Sequence, residues 1–173
     1  AELTRRFPEY QELTRPTALS VGQIQALLRP DEAMLVYAFG GSQIGFLWVV
    51  RPDGAGFLGG QVDVKAMVAN VTKVRSEMEF DSAGQASRVS VGLLHDLYQS
   101  LIAPAMPHLA GVRHIMVVPA GPLQSLPFSM LVASPAPAIK SAADYLRVNW
   151  LAKHYALSVL PAVSSIQAFR RFT

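Results

Sequence analysis

The chain is 173 residues long and carries a net charge of +3, with 51% hydrophobic and 16% charged residues. It is long enough to bury a core as one domain or as two small subdomains. Its basic residues are scattered, with pairs such as Arg5-Arg6 and Arg170-Arg171, and form no stripe with interleaved aromatics, so nucleic-acid binding is not expected. No apolar run approaches the ~20 residues that cross a bilayer, so a membrane partner is not expected either.

The low charge content leaves two interpretations of the surface open. Soluble domains usually carry about 25% charged residues. Either part of this surface normally faces other protein, or the chain is one domain with a large core. The absence of cysteine excludes disulfides and thiolate metal sites within this segment. No export signal is visible, which favours a cytoplasmic location.

The first half of the sequence predicts a helical lead-in, a β-hairpin and a longer helix. Residues 1–30 form the lead-in, where Ser20 and Gln23 have the S-x-x-Q spacing of a capping box. Short apolar runs separated by Gly-rich or Pro-Asp-Gly links then predict β-strands joined by tight turns. The strands are Met34 to Phe39, Ile44 to Val50 and Phe57-Leu58, and the helix runs from a cap at Asp63 to about Met78. The apolar stripes of the two helices are Val21, Ile24 and Leu28, then Val64, Met67, Val68, Val71 and Val74.

The second half predicts helices alternating with strands. After a polar loop at Asp81 to Ser87, a helix carries apolar residues at spacings of three and four from Val91 to Ala105. Residues 134–144 lack periodicity and consist mainly of small residues, which indicates a flexible loop. The alternation of strands and helices along the chain favours an α/β fold with a partly parallel sheet. The remaining elements are the strands His114 to Val118 and Leu157 to Leu160, and a helix from Val163 to Phe172.

A glycine-rich stretch at residues 54–59 matches G-x-G-x-x-G. A dinucleotide site needs the third glycine inside a helix that starts in the turn. Here Phe57-Leu58 is predicted as strand, and the helix begins only near Asp63. The stretch therefore predicts part of a hairpin, and no cofactor is expected.

The histidines and one serine are the candidates for chemistry. No two histidines have the i, i+4 spacing of a zinc helix, and the acidic residues are too scattered for a metal cage. Ser125 follows a predicted strand, although Gly121 to Ser125 is not a G-x-S-x-G elbow. A small serine hydrolase that uses Ser125 and one histidine is the weakest of three hypotheses. The histidines are His95, His108, His114 and His154.

The most specific pattern lies between Ile115 and Leu131. Together with residues 7–10 and residues 155–161, it resembles the amino-terminal half of a CHAT domain. CHAT domains are the caspase- and separase-related module that bacteria often place after helical TPR repeats. The residues of the family structural motif are Pro119, Gly121, Pro122, Leu123, Leu126, Pro127 and Phe128.

The resemblance implies a caspase-like (pseudo-caspase) layered sheet over residues 31–173, with an N-terminal β-hairpin and flanking helices. The family's catalytic pair is a histidine followed by glycine and a cysteine further on. This chain has no cysteine and no His-Gly pair. It also departs from the family at Ala120, Gln124 and Ala162, where Asp, His and Ser are usual. No catalytic residue is therefore carried over from the family.

The leading hypothesis is a non-catalytic scaffolding half of a CHAT-type cysteine peptidase. Its expected partners are the C-terminal His/Cys half of the same protein and upstream TPR repeats or a regulatory protein. This chain alone would not be an enzyme, and it would expose an apolar patch where the other half docks. The second hypothesis is an autonomous interaction module that captures a partner through an open strand edge.

Overall fold

A five-stranded sheet forms the centre of the computed structural model, which describes residues 18–79, 88–135 and 138–171. The spatial order of the strands is β3-β2-β1-β4-β5. The pairs β1–β2 and β2–β3 are antiparallel, whereas β1–β4 and β4–β5 are parallel. The α/β fold with a partly parallel sheet and an N-terminal β-hairpin is thus confirmed. The strands are β1 (Glu32–Gly40), β2 (Ile44–Arg51), β3 (Gly54–Gln61), β4 (His114–Val118) and β5 (Ala156–Val159).

Helices cover both faces of the sheet. On one face lie α2 (Val64–Glu77) and α3 (Val91–Leu101), together with several 3-10 turns. On the other face lie the short helices α1 (Val21–Leu27) and α4 (Ser165–Arg171). The layered arrangement agrees with a caspase-like fold.

Strand β1 is buried because it lies in the middle of this arrangement. Successive side chains of a strand point to opposite faces, so Leu35 and Tyr37 enter the core under α2 and α3. Met34 enters the smaller core under α1 and α4. A strand covered on both faces carries a continuous apolar run, and this explains the unbroken sequence from Met34 to Phe39.

Two of the predicted helix starts, at Ser20 and Asp63, agree with the structure, whereas the last helix begins at Ser165 and not at Val163. The Ser20 hydroxyl accepts from the Gln23 N–H, and the Gln23 side chain accepts from the Ser20 N–H, which completes the capping box. The Asp63 carboxylate accepts from the Ala66 N–H at 2.9 Å and caps α2. Each cap satisfies a main-chain donor that a helix start would otherwise leave open.

Two residues predicted on apolar stripes are exposed instead. Val21 is 45% exposed and Val68 is 43% exposed. Helix α1 packs on the sheet through Ile24 and through Leu28, the residue that caps its C-terminal end, whereas Val21 lies in the first turn. The buried residues of α2 are Met67, Val71 and Val74, which have the i, i+4, i+7 spacing of a single stripe. Val68 lies outside this stripe.

Several boundaries also differ from the predicted ones. Strand β3 spans eight residues instead of two, because the whole of it pairs with β2 from Gly54 to Gln61. The G-x-G-x-x-G stretch therefore lies in an extended strand, as the hairpin interpretation required. Helix α3 ends at Leu101, and the chain continues as a 3-10 turn over Ala103–His108, so Ala105 lies outside the helix. Strand β5 begins one residue earlier than predicted.

Other expectations concern residues that the structure does not describe. The segment from Phe7 to Tyr10, the loop from Asp81 to Ser87, residues 136–137 and Phe172 lie outside the described ranges. Within the predicted loop 134–144, a 3-10 turn begins at Ala142 and is capped by Ser141 and Asp144. Hydrogen bonds from Ser141 and Lys140 lower the pKa of the Asp144 carboxyl.

The buried Tyr37 hydroxyl predicts how stability depends on pH. Its O–H donates to the Leu101 carbonyl at 2.8 Å, and burial raises the pKa of Tyr37 far above its usual value of 10.0. Above pH 10 the phenol ionises in the unfolded chain but stays protonated in the folded one. This difference lowers the free energy of unfolding by about 1.4 kcal/mol per pH unit.

Tyr37→Phe should therefore cost about 1 kcal/mol at pH 7 through the lost hydrogen bond. The deficit relative to wild type should then shrink between pH 10 and 11, because the variant has no phenol at this position. Urea denaturation of both proteins from pH 7 to 11 measures the difference. A difference that stayed constant over this range would contradict the account.

Candidate functional site

The family motif forms the exit from β4 and turns the chain back over the sheet. Pro119 is buried directly after the strand, and a 3-10 turn runs over Gly121–Ser125. Gly121 has φ of +51°, a left-handed conformation that side chains with a Cβ disfavour. The turn packs against α2. Glycine at this position is thus explained by the backbone.

The apolar residues of the motif are part of the main core. Leu123, Leu126 and Phe128 are all at least 96% buried. The Phe128 ring lies 5.9 Å from that of Tyr37 on β1, measured between centroids. Their burial is consistent with an anchor for the chain after β4.

Ser125 does not have the surroundings of a nucleophile. Its side chain is exposed, and its hydroxyl donates to the Pro122 carbonyl at 3.1 Å. None of the four histidines, all of which lie in described segments, hydrogen-bonds to it. The geometry therefore gives no support to a hydrolase that uses Ser125.

Three of the histidines have partners that suggest a local structural role. His95 Nδ1 lies 2.8 Å from the Val132 carbonyl, and His154 Nε2 lies 2.6 Å from Asn149 Oδ1. The His108 ring fills the space beside Gly56, where a Cβ would come within 2.9 Å of it. Each of these contacts joins neighbouring segments of the fold.

His114 differs from the others, because it has a side-chain partner at each ring nitrogen. Its Nδ1 lies 3.3 Å from Glu32 Oε1, and its Nε2 lies 2.9 Å from Ser158 Oγ. Sequence analysis did not select Glu32 or Ser158. The three residues are far apart in sequence, and only the pairing of β1, β4 and β5 brings them together.

Strand β5 leaves one edge of the sheet open within the described ranges. The N–H groups of Ala156 and Leu160 donate to carbonyls next to or within β4. Because N–H groups alternate in direction along a strand, those of Leu157 and Val159 point away from β4. The Val159 side chain is 54% exposed. This edge can accept another strand.

An apolar patch lies at the other end of the sheet, on the hairpin of β2 and β3. The rings of Phe46, Trp48 and Phe57 contact one another at centroid distances of 5.1 to 6.0 Å. Phe57 is 58% exposed and Ile44 is 45% exposed. The patch provides apolar surface on which another protein can dock.

The described residues contain no further centre of chemistry. An apolar groove of about 290 Å³ lies between the hairpin and the helical layer, lined by residues that include Leu58, Met67 and Pro104. Within the ranges that the structure covers, no group of three or more His, Asp or Glu residues is placed to hold a metal ion. None of the helices in these ranges is long and apolar enough to cross a membrane.

The family comparison bears on the second half of the chain. The model of the CHAT domain family matches residues 91–172, just under half of the sequence. These residues are part of a CHAT domain. The matched segment contains α3, β4, the motif after β4, β5 and α4, and its β4 pairs with β1 in the same sheet. CHAT domains are associated with cysteine-peptidase-like folds. No curated protein matches the chain.

The burial of Phe128 predicts a large cost on truncation. Phe128→Ala should lower the free energy of unfolding by about 3–5 kcal/mol, because it leaves a cavity against Tyr37. Phe57→Ala is the matched control and should cost under about 1 kcal/mol, since the Phe57 ring is mostly exposed. Chemical denaturation followed by circular dichroism measures both. Equal costs for the two variants would show that the motif does not anchor the core.

Proposed function

We propose that this chain is the non-catalytic scaffold of a CHAT-type cysteine peptidase. In this proposal the catalytic histidine and cysteine lie in another half of the same protein, which docks on the open edge at β5. The parent protein is bacterial and cytoplasmic, and TPR repeats precede this part of it. The chain alone does not cleave peptides.

The observation that carries the proposal is the edge of β5, which no strand of the described residues covers and which lies inside the segment that matches the family. A peptide strand can pair there with the outward N–H groups of Leu157 and Val159 without any change in the sheet. The exposed Val159 side chain would be covered in the same step. A parallel sheet is normally buried, so an uncovered edge strand of this kind is a natural site for further structure.

The amino-acid composition supports a scaffolding role for this chain and a catalytic role for the other half. A cysteine peptidase attacks a carbonyl with a thiolate, and this chain has no cysteine. The motif after β4 contributes packed apolar side chains and a glycine-dependent turn, neither of which is a proton donor or nucleophile. The role best suited to these residues is to hold β4 and β5 in place for a partner.

An autonomous interaction module is the second candidate function, and the exposed aromatic patch on β2 and β3 favours it. In that case a separate protein would cover Phe46, Trp48 and Phe57, and not the open strand edge that the sequence-based hypothesis gave to the module, so β5 would stay free. The two functions use opposite ends of the sheet. Substitutions at one end therefore distinguish them.

Val159→Pro in the full-length natural protein tests the scaffold. Proline removes the outward N–H but none of the hydrogen bonds between β5 and β4. We expect peptidase activity on a mixture of fluorogenic peptides to fall by about tenfold or more, which corresponds to a loss of about 1.4 kcal/mol in docking of the catalytic half.

Val159→Thr is the matched control, because it keeps the N–H and the branched shape, and its activity should stay near wild type. Thermal unfolding of the same variants in the 173-residue chain shows whether the sheet itself is intact. Full activity of a folded Val159→Pro protein would contradict docking at β5. Loss of activity on Phe57→Ala instead would move the docking surface of the catalytic half to the aromatic patch.

A further inference from the structure

Three polar side chains form a continuous hydrogen-bonded chain across the parallel strands. Glu32 Oε1 contacts Nδ1 of His114 at 3.3 Å, and Nε2 of His114 contacts Ser158 Oγ at 2.9 Å. A serine beside one imidazole nitrogen and a carboxylate beside the other is the arrangement that activates serine nucleophiles. It is recognised by geometry and not by sequence position.

The register of the sheet produces this arrangement. Glu32 is paired with His114 across β1 and β4, and His114 is paired with Ala156 across β4 and β5. Ser158 lies two residues beyond Ala156, and side chains two residues apart share a face. All three side chains therefore lie on the face that α1 and α4 cover in part.

The carboxylate is held so that one oxygen is left for the histidine. Glu32 is 2% exposed, and its Oε2 accepts from the Arg29 N–H at 2.7 Å and from the Arg170 guanidinium. Arg170 is itself fixed by a hydrogen bond from its Nε to the Leu27 carbonyl at 2.6 Å. Glu32 is thus a positioning residue that orients the His114 ring through Nδ1.

The serine end of the chain can be reached from outside. The His114 side chain is 20% exposed and Ser158 is partly exposed, in contrast to the buried Glu32. The N–H of Val159, the residue after the serine, points to the open edge of β5, where it can donate to the oxygen of a bound carbonyl. A partner strand on β5 would occupy this N–H, so the site is available only in a chain with no strand bound to that edge.

We propose that Ser158 is a nucleophile activated by His114 and that it accepts acyl groups from small activated esters. In the reaction, Ser158 Oγ forms a bond to the carbonyl carbon, its proton passes to His114 Nε2, and the ester C–O bond breaks. With a nitrophenyl ester the leaving group departs as the phenolate. The imidazolium of His114 then loses its proton to solvent. Water attacks the acyl-serine while His114 Nε2 takes a proton from it, and this proton passes to Ser158 Oγ as the carboxylic acid leaves.

Arg170 limits how far this chemistry proceeds. Because the guanidinium offsets the charge of Glu32, the imidazolium formed in the transition state is stabilised less than it would be beside an unpaired carboxylate. Acylation and deacylation of Ser158 are therefore both expected to be slow, and a readout that needs no turnover is required. A covalent label is the appropriate readout.

The test treats the 173-residue chain with a fluorophosphonate, which forms an oxygen–phosphorus bond with an activated serine and releases fluoride. Peptide mass spectrometry should locate the label on Ser158, and Ser158→Ala should abolish it. His114→Gln should lower the labelling rate by about 100-fold or more, since it removes the base. Ser125→Ala is the matched control, because Ser125 is exposed but has no histidine beside it, and labelling should be unchanged.

Glu32→Gln keeps hydrogen-bonding capacity at the positioning residue while it removes the charge. It should shift the pH profile of the labelling rate, which a purely structural defect would not do. Labelling of Ser158 at the same rate as other surface serines, or a rate that His114→Gln leaves unchanged in a folded chain, would overturn the proposal. If His114→Gln does not fold, the wild-type chain alone decides the question, and the absence of label on its Ser158 would overturn the proposal. The scaffold proposal is unaffected by either result, because none of these substitutions changes the outward edge of β5.

Discussion

The parallel pairing of β1 with β4 is the constraint on which the rest of the molecule depends. It joins the N-terminal hairpin, which lies outside the matched segment, to the strand that precedes the CHAT motif. It also places apolar residues of both strands in two cores, so that helices are held on both faces. Without this pairing, the hairpin of β2 and β3 and the strand β5 would no longer belong to one sheet. The family segment therefore relies on residues that precede it in the chain.

The same pairing sets the geometry at both ends of β4. At its end, Gly121 with a positive φ turns the chain so that Phe128 returns to pack on Tyr37 of β1. At its start, His114 is placed beside Glu32. The first arrangement is apolar and stabilises the core. The second is polar and partly open to solvent, and it contains the groups that could take part in a reaction.

Local signals in the sequence were sufficient for most of the fold. The capping box at Ser20, the cap at Asp63 and the continuous apolar run of β1 each depend on neighbouring residues, and each was predicted correctly. The extent of β3 was missed, because its glycine-rich sequence has low strand propensity and is held extended by pairing with β2. Helical periodicity alone also assigned Val68 to the core, whereas tertiary packing decides which stripe is buried.

The cluster of Glu32, His114 and Ser158 could not be found in this way. Its members belong to three strands, and their proximity follows from the strand order and register, which the sequence does not state locally. Ser125 was selected because it follows a strand, but a position after a strand does not place a histidine next to the serine. The CHAT motif was recognised because its residues are consecutive in the chain.

The central claim is that this chain scaffolds a catalytic half carried by the same protein. The intact mass and sequence of the natural gene product test it most directly. The account predicts a product larger than 18.7 kDa, with a His-Gly pair and a downstream cysteine in the segment beyond Thr173. A natural product that ends at Thr173 and contains no His-Gly pair with a cysteine elsewhere in its sequence would contradict the scaffold and leave the interaction module as the better description.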